Sequence, residues 1–184
     1  EANYKNYEGN RRLHLFQGDI YRLPLMEGVF DKIICFGVLQ HTPDPGGAFR
    51  SLIRHLKPGG EIVIDIYAHN FRSYLQWKYY LRPFTRLTNP EKLYLFIEHS
   101  VNYLLPVAVF FRKIFGSAGS RILPIVEYSH LGLNKELNRE WSILDTFDMY
   151  ASFYDRPVSI RKVKSWFTAS GLKDVKVFYG DNGI

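Results

Sequence analysis

One cysteine in 184 residues, Cys35, leaves this chain without an internal disulfide, so its stability has to come from packing and hydrogen bonds. The first dozen residues hold Asn3, Lys5, Asn6, Glu8, Asn10 and Arg11 where an export signal would need an unbroken apolar run. Both absences argue for a cytoplasmic protein. Long apolar runs are scarce as well. The most apolar stretch, Leu93 to Phe111, is interrupted by Glu98, His99, Ser100, Asn102 and Pro106, whereas a spanning helix wants about 20 largely apolar residues, so no membrane crossing is expected. His14, His55, His69, His99 and His130 show no ligand spacing and have no cysteine partners, and no zinc site is expected. Acidic residues are scarce in one place. Between His69 and Val126, eight cations (Arg72, Lys78, Arg82, Arg86, Lys92, Arg112, Lys113, Arg121) stand against Glu91 and Glu98, which accounts for the whole net charge of +6. That excess reads as a solvated helix face, or as a surface for anionic lipid, nucleic acid or a phosphorylated substrate.

What is present is a 46% apolar, 16% aromatic composition, enough for one packed core. Gly9-Asn10 reads as a helix end and turn, and Leu13 to Phe16 as a short strand stopped by Gly18-Asp19. Leu23-Pro24 and Glu27-Gly28 mark a loop. Lys32 to Gly37 contains Ile33-Ile34-Cys35-Phe36, continuously apolar as a parallel strand buried on both faces would be. Asp44-Pro45 offers a helix start, Ala48, Phe49, Leu52, Ile53 and Leu56 recur at helical spacing, and Pro58-Gly59-Gly60 is the expected stop. Ile62 to Ile66 is a second buried-type strand, so the order is strand, helix, parallel strand of an α/β fold.

From His69 the texture becomes aromatic and basic, with breaks expected at Pro83, Asn89-Pro90, Pro106, Gly116 to Gly119 and Pro124. Residues 69–128 read as a helical insertion or lid between core parts at 1–68 and 129–184. The stripe Phe71, Tyr74, Trp77, Tyr80 and Phe84 reads as helix packing rather than a base-stacking platform. Further helices are expected through Leu137, Trp141 and Leu144, and from Ser159 through Val163, Trp166 and Phe167 to Gly171. A strand at Val175 to Tyr179 and a turn at Gly180 to Gly183 follow.

Three groups of residues in register carry a family likeness: Gly18-Asp19-Ile20 with Leu23-Pro24 and Phe30-Asp31; Gly37-Val38-Leu39-Gln40-His41 with Asp44-Pro45; and Leu56-Lys57-Pro58-Gly59-Gly60. In order and spacing they resemble the middle motifs of class I, Rossmann-like, S-adenosylmethionine-dependent methyltransferases of the small-molecule type. The match is close over residues 13–67 and returns weakly at Trp141 to Tyr154 and Trp166-Phe167 to Gly171. The resemblance implies methyl transfer from S-adenosylmethionine to a small-molecule acceptor. It implies Asp19 and Ile20 on the adenine, Phe36 and Gly37 beside the methionine part, and Gln40 and His41 towards the acceptor. Asp19 also reads as a turn residue and Gly37 as a strand-ending kink. His41 either takes a proton from the nucleophile or braces the helix start at Asp44-Pro45. Asp145, Asp148, Tyr150 and Tyr154 lie where the family approaches the pocket mouth, and read otherwise as surface carboxylates and buried tyrosines.

The family's glycine-rich turn after a first strand, and the acidic residue ending a second, have no counterpart here. The fold class implied is therefore α/β, a partial Rossmann-like methyltransferase fold with a mainly helical insertion. In the family's strand order, 3-2-1-4-5-7-6, Leu13 to Phe16 would be the third strand, Lys32 to Gly37 the fourth, Ile62 to Tyr67 the fifth and Val175 to Tyr179 the sixth. The first, second and nearly all of the seventh would be missing. On that basis the 184 residues alone are expected to be inactive, to bind no cofactor measurably, and to associate unless another chain fills the gaps by strand exchange. The rival readings are a non-catalytic methyltransferase-like module that binds a partner or a membrane surface through the insertion, and an RNA methyltransferase that uses the same basic segment as a platform.

Overall fold

The protein is described by a computed structural model covering residues 5, 7, 9–69, 76–180, 183 and 184. It divides into two compact units, Glu1–Tyr67 with Arg156–Ile184, and Ala68–Asp155.

The first unit is α/β. Strand β1 (Phe30–Cys35), helix α1 (Pro45–Arg54) and strand β2 (Leu56–Ile64) follow one another, and the strands pair in parallel with Ile33 opposite Ile62 and Cys35 opposite Ile64. Helix α1 starts where Asp44 precedes Pro45: proline is at home in a first turn, and the Asp44 carbonyl accepts from Ala48 N–H at 2.9 Å. It stops at Arg54, well before Pro58. The reason is competition for its last carbonyls, since Gly28 N–H bonds Arg54 O and the N–H groups of Val29 and Phe30 bond His55 O. The core lies between the sheet, α1 and helix α5 (Ile160–Ala169), where Leu39, Ala48, Phe49 and Ile66 are fully buried. Phe49 is its centre, 4.8 Å from the Phe167 ring and 6.0 Å from Trp166 between centroids. Ser159 caps α5 by accepting from Lys162 N–H, and Gly171 follows it with φ 68°.

Several sequence expectations need correction. Burial of β1 on both faces is not found: Ile33 and Cys35 face the helices, whereas Ile34 and Val63 point the other way and are 69% and 53% exposed, because α1 and α5 cover one face only. Leu13 to Phe16 and Val175 to Tyr179 are not strands. Each lacks a ladder partner among the described residues, and an extended segment without one has no hydrogen bonds to define it. The turn expected at Gly180 to Gly183 falls partly outside the described residues, which omit Asp181 and Asn182. Gly180 and Gly183 form an antiparallel bridge, after which Ile184 and Ile66 exchange both backbone hydrogen bonds, at 2.9 and 3.0 Å.

The second unit is helical: α2 (Trp77–Thr85), α3 (Pro90–Phe115) and α4 (Lys135–Ala151). It ends at Asp155 rather than at 128, because α4 packs on α3 through Ile143, Phe147 and Tyr150. Pro83 and Pro106 do not break their helices. Asn89 caps α3 by accepting from Glu91 and Lys92 N–H, and Leu93, Ile97, Val101 and Ala108 are buried on both sides of Pro106. The proline removes a single ladder bond, the one to Asn102, from an otherwise anchored helix. The aromatic stripe is turned outward where it is described: Tyr80 and Phe84 are exposed, and Phe71 and Tyr74 lie outside the described residues. The side chains that α2 buries are Lys78 and Arg82, drawn inward by the buried carboxylate of Asp155. Leu137, Trp141 and Leu144 of α4 are likewise exposed, while Asn138, Ser142, Ile143 and Thr146 form its buried line.

Candidate functional site

The carboxyl ends of β1 and β2 lie side by side, as parallel pairing requires, and in open α/β sheets that edge is where ligands bind. At the end of β1, Phe36 is exposed and Gly37 turns the chain with φ 68°, a conformation that disfavours any side chain. A Cβ at Gly37 would meet nothing within 4 Å, so its backbone stands open to a ligand. Its N–H donates to the carboxylate of Asp65, one residue past β2, which locks the two strand ends together. Burial, and after it the same carboxylate, push the Cys35 thiol upward from its ordinary value, so this cysteine is held as a neutral packing group.

Beyond Gly37 the chain makes a short 3-10 turn, Leu39–His41. Gln40 in this turn is fully buried, and neither its Oε1 nor its Nε2 has a hydrogen-bond partner among the described residues. Leaving such a group unsatisfied costs about 1–3 kcal/mol. The Gln40 carbonyl accepts from Arg156 N–H at 2.9 Å. The half-buried His41 ring meets Tyr67 edge-on at 5.7 Å.

Asp19 and Ile20 sit in a turn between residues 18 and 22. The Asp19 carboxylate accepts from Tyr21 N–H at 3.0 Å and its carbonyl accepts from Arg22 N–H, so the aspartate shapes the turn while its side chain remains exposed. Tyr21 then fastens the turn to the start of α1: its hydroxyl donates to Asp44 O at 3.0 Å and accepts from Asp44 N–H at 2.8 Å. Gly47 makes the approach possible, since a Cβ there would lie 2.4 Å from the Asp44 carboxylate and 3.4 Å from the Tyr21 ring. Beside this junction is a cavity of about 620 Å³ between α1 and α5, lined by Asp44, Arg50, Arg156, Lys162 and Trp166 among others. Three cations there face one carboxylate, to which Arg50 is already paired at 3.5 Å.

The structure thus brings Phe36, Gly37, Gln40 and His41 to one sheet edge, and ties the Asp19 turn to the helix that leaves that edge. Asp65, Tyr67 and Arg156 were not singled out from sequence. The signal was there for Asp65, a carboxylate closing an apolar strand at the ligand-binding edge. Arg156 carried none, because it arrives from the far side of the insertion. Asp145 and Tyr150 belong to the second unit's own packing: Asp145 accepts from the Tyr128 hydroxyl, and buried Tyr150 donates to Pro124 O, with burial pushing its hydroxyl upward.

Residues 1–64 match the family model described as a methyltransferase domain. Over 50 residues the chain is 38% identical to a ubiquinone biosynthesis O-methyltransferase of Pseudomonas aeruginosa, which covers 27% of this chain and 22% of that protein. Over 46 residues it is 41% identical to a tRNA U34 carboxymethyltransferase of Nautilia profundicola, covering 25% and 15% respectively. Over 62 residues it is 39% identical to an uncharacterized protein of Synechococcus sp., covering 34% and 15%. The chain spans less than a quarter of the length of each of these relatives. The match to the methyltransferase-domain model covers about the first third of the chain.

Proposed function

We propose that this chain, on the strength of its methyltransferase-domain segment, supplies the adenine-side and acceptor-facing elements of an enzyme that methylates a small molecule with S-adenosylmethionine. The observation that carries the reading is the sheet edge where an open Gly37 backbone stands three residues from a buried Gln40 amide that has no partner among the described residues. Those residues fit a ligand with a polar, extended body. Gly37 offers close approach, Asp19 an exposed acceptor for an amino group with the Ile20 N–H beside it, and Phe36 an exposed ring at the rim. The bound sulfonium would supply an already activated methyl group, so the protein's share is alignment.

On the acceptor side Gln40, whose amide has no partner among the described residues, would hold a polar group of the substrate. His41, half-buried against Tyr67, would accept a proton from a nucleophile on that side. The cavity by Arg50, Arg156 and Lys162 would extend the acceptor site with positive charge. The test is calorimetric binding of S-adenosylmethionine to the full-length protein and to Phe36→Ala, followed by transfer of labelled methyl to a metabolite mixture. Micromolar binding that the alanine weakens without lowering the melting temperature by more than a few degrees supports the reading, because Phe36 is exposed. Absence of binding in the wild type would leave the non-catalytic module in its place.

A further inference from the structure

Helix α3 is long and apolar enough to cross a bilayer by length and composition, yet only 22% of its most apolar window is buried. Its buried side is accounted for by Leu93, Ile97, Val101 and Ala108. On another side Phe96, Tyr103, Val107, Phe110 and Ile114 are between 42% and 68% exposed. With 3.6 residues per turn and about 1.5 Å rise, these five fall within an arc of about 60° and form a stripe about 27 Å long.

The charges are ordered around that stripe. Lys92 lies on its line one turn before Phe96, and Lys113 flanks its far end, both exposed. The two carboxylates of the helix, Glu91 and Glu98, fall about 130° and about 150° from the middle of that arc at the same periodicity. Glu98 is held there by Arg139 of α4 at 3.2 Å, and the same arginine bonds Asn102. A stripe of rings and branched aliphatics, free of carboxylates and bracketed by lysines, complements a surface that is apolar inside and anionic at its rim.

We propose that this face of α3 docks on a membrane containing anionic lipid, with the helix lying in the plane of the headgroups. Crossing is barred by its neighbour: α4 packs along α3 and carries Glu136, Arg139, Glu140, Asp145 and Asp148, which the hydrocarbon core would not accept. An in-plane helix needs only its outer stripe immersed, by about 5–10 Å. The rings enter the acyl boundary and the lysines meet lipid phosphates. The methyltransferase reading is not needed for this step, so each stands or falls separately.

Flotation of the full-length protein, without cofactor, on vesicles of phosphatidylcholine alone and of equal parts phosphatidylcholine and phosphatidylglycerol tests it. Binding should favour the mixed vesicles and weaken with added salt. Replacing Phe96, Tyr103 and Phe110 together by serine should lower partitioning by at least about tenfold, given what burial of one such ring contributes. Circular dichroism melting of that variant should stay close to wild type, because all three rings are exposed. Lys92→Glu with Lys113→Glu should give a smaller loss confined to the anionic vesicles. Wild type that fails to float with either vesicle, or a serine variant that floats as well as wild type, overturns the proposal. If light scattering instead shows a dimer that the serine variant abolishes, in protein that ignores vesicles, the occupant is a second copy and the membrane proposal is wrong.

Discussion

Replacing Asp155 by asparagine should destabilise the second unit by about 3–5 kcal/mol, the usual result of stranding buried charge. The side chain is 1% exposed and its carboxylate joins Lys78, at 2.8 Å and 9% exposed, to Arg82, 5% exposed. Asparagine keeps the shape and removes the charge that joins the two cations of α2, with Asp148 still acting on Lys78. The cluster is already imperfect, since Asp155 Oδ1 and Arg82 Nε have no partner among the described residues. For that reason Lys78→Met, Arg82→Leu and Asp155→Leu made together should cost less than about 1 kcal/mol or stabilise, as replacing a whole buried ionic triad often does. Urea unfolding of the full-length protein, followed by circular dichroism, measures both. The pH dependence carries the sign. Burial would raise the Asp155 carboxyl, but Lys78 and Arg82 outweigh it and hold it below the usual carboxylate range. A carboxyl lowered on folding contributes stability above its unfolded value, about 3.9, and loses it as pH falls through the lower folded value. The gap between wild type and Asp155→Asn should therefore be flat above about pH 5 and close in more acidic solution. A cost under about 1 kcal/mol at neutral pH would mean that both cations reach water, and would refute the account of a buried ionic core.

In the first unit, Phe49→Ala should cost about 3–5 kcal/mol, because it empties the contact between α1 and α5 around Trp166 and Phe167; a loss below about 1 kcal/mol would show that the core collapses into the space. Asp19→Ala in the full-length protein should weaken S-adenosylmethionine binding by about 1–3 kcal/mol in calorimetry. An unchanged affinity, with only the melting temperature lowered, would leave Asp19 as the residue that accepts from Tyr21 N–H and nothing more.

Local chemistry wrote much of this protein into its sequence. Asp44-Pro45 announced α1, Ser159 and Gly171 bracketed α5, and the apolar runs at Ile33 to Cys35 and Ile62 to Ile64 announced two parallel strands, since caps, turn residues and periodicity act over a few neighbours. The same local order made Gly37, Gln40 and His41 readable as one edge. Other features depended on what lies opposite each segment in space. Leu13 to Phe16 and Val175 to Tyr179 have strand-like composition but no ladder, because a strand is a relation between two segments and composition describes one. Pro106 reads as a break until four buried side chains anchor its helix on both sides of it. Lys78 and Arg82 read as surface cations, and only the arrival of Asp155, more than seventy residues later, turns them inward and the aromatic residues of α2 outward. Burial of Gln40 and exposure of the α3 stripe were decided the same way, by packing across the chain, because solvent access is a property of the assembled surface and no stretch of sequence carries it alone.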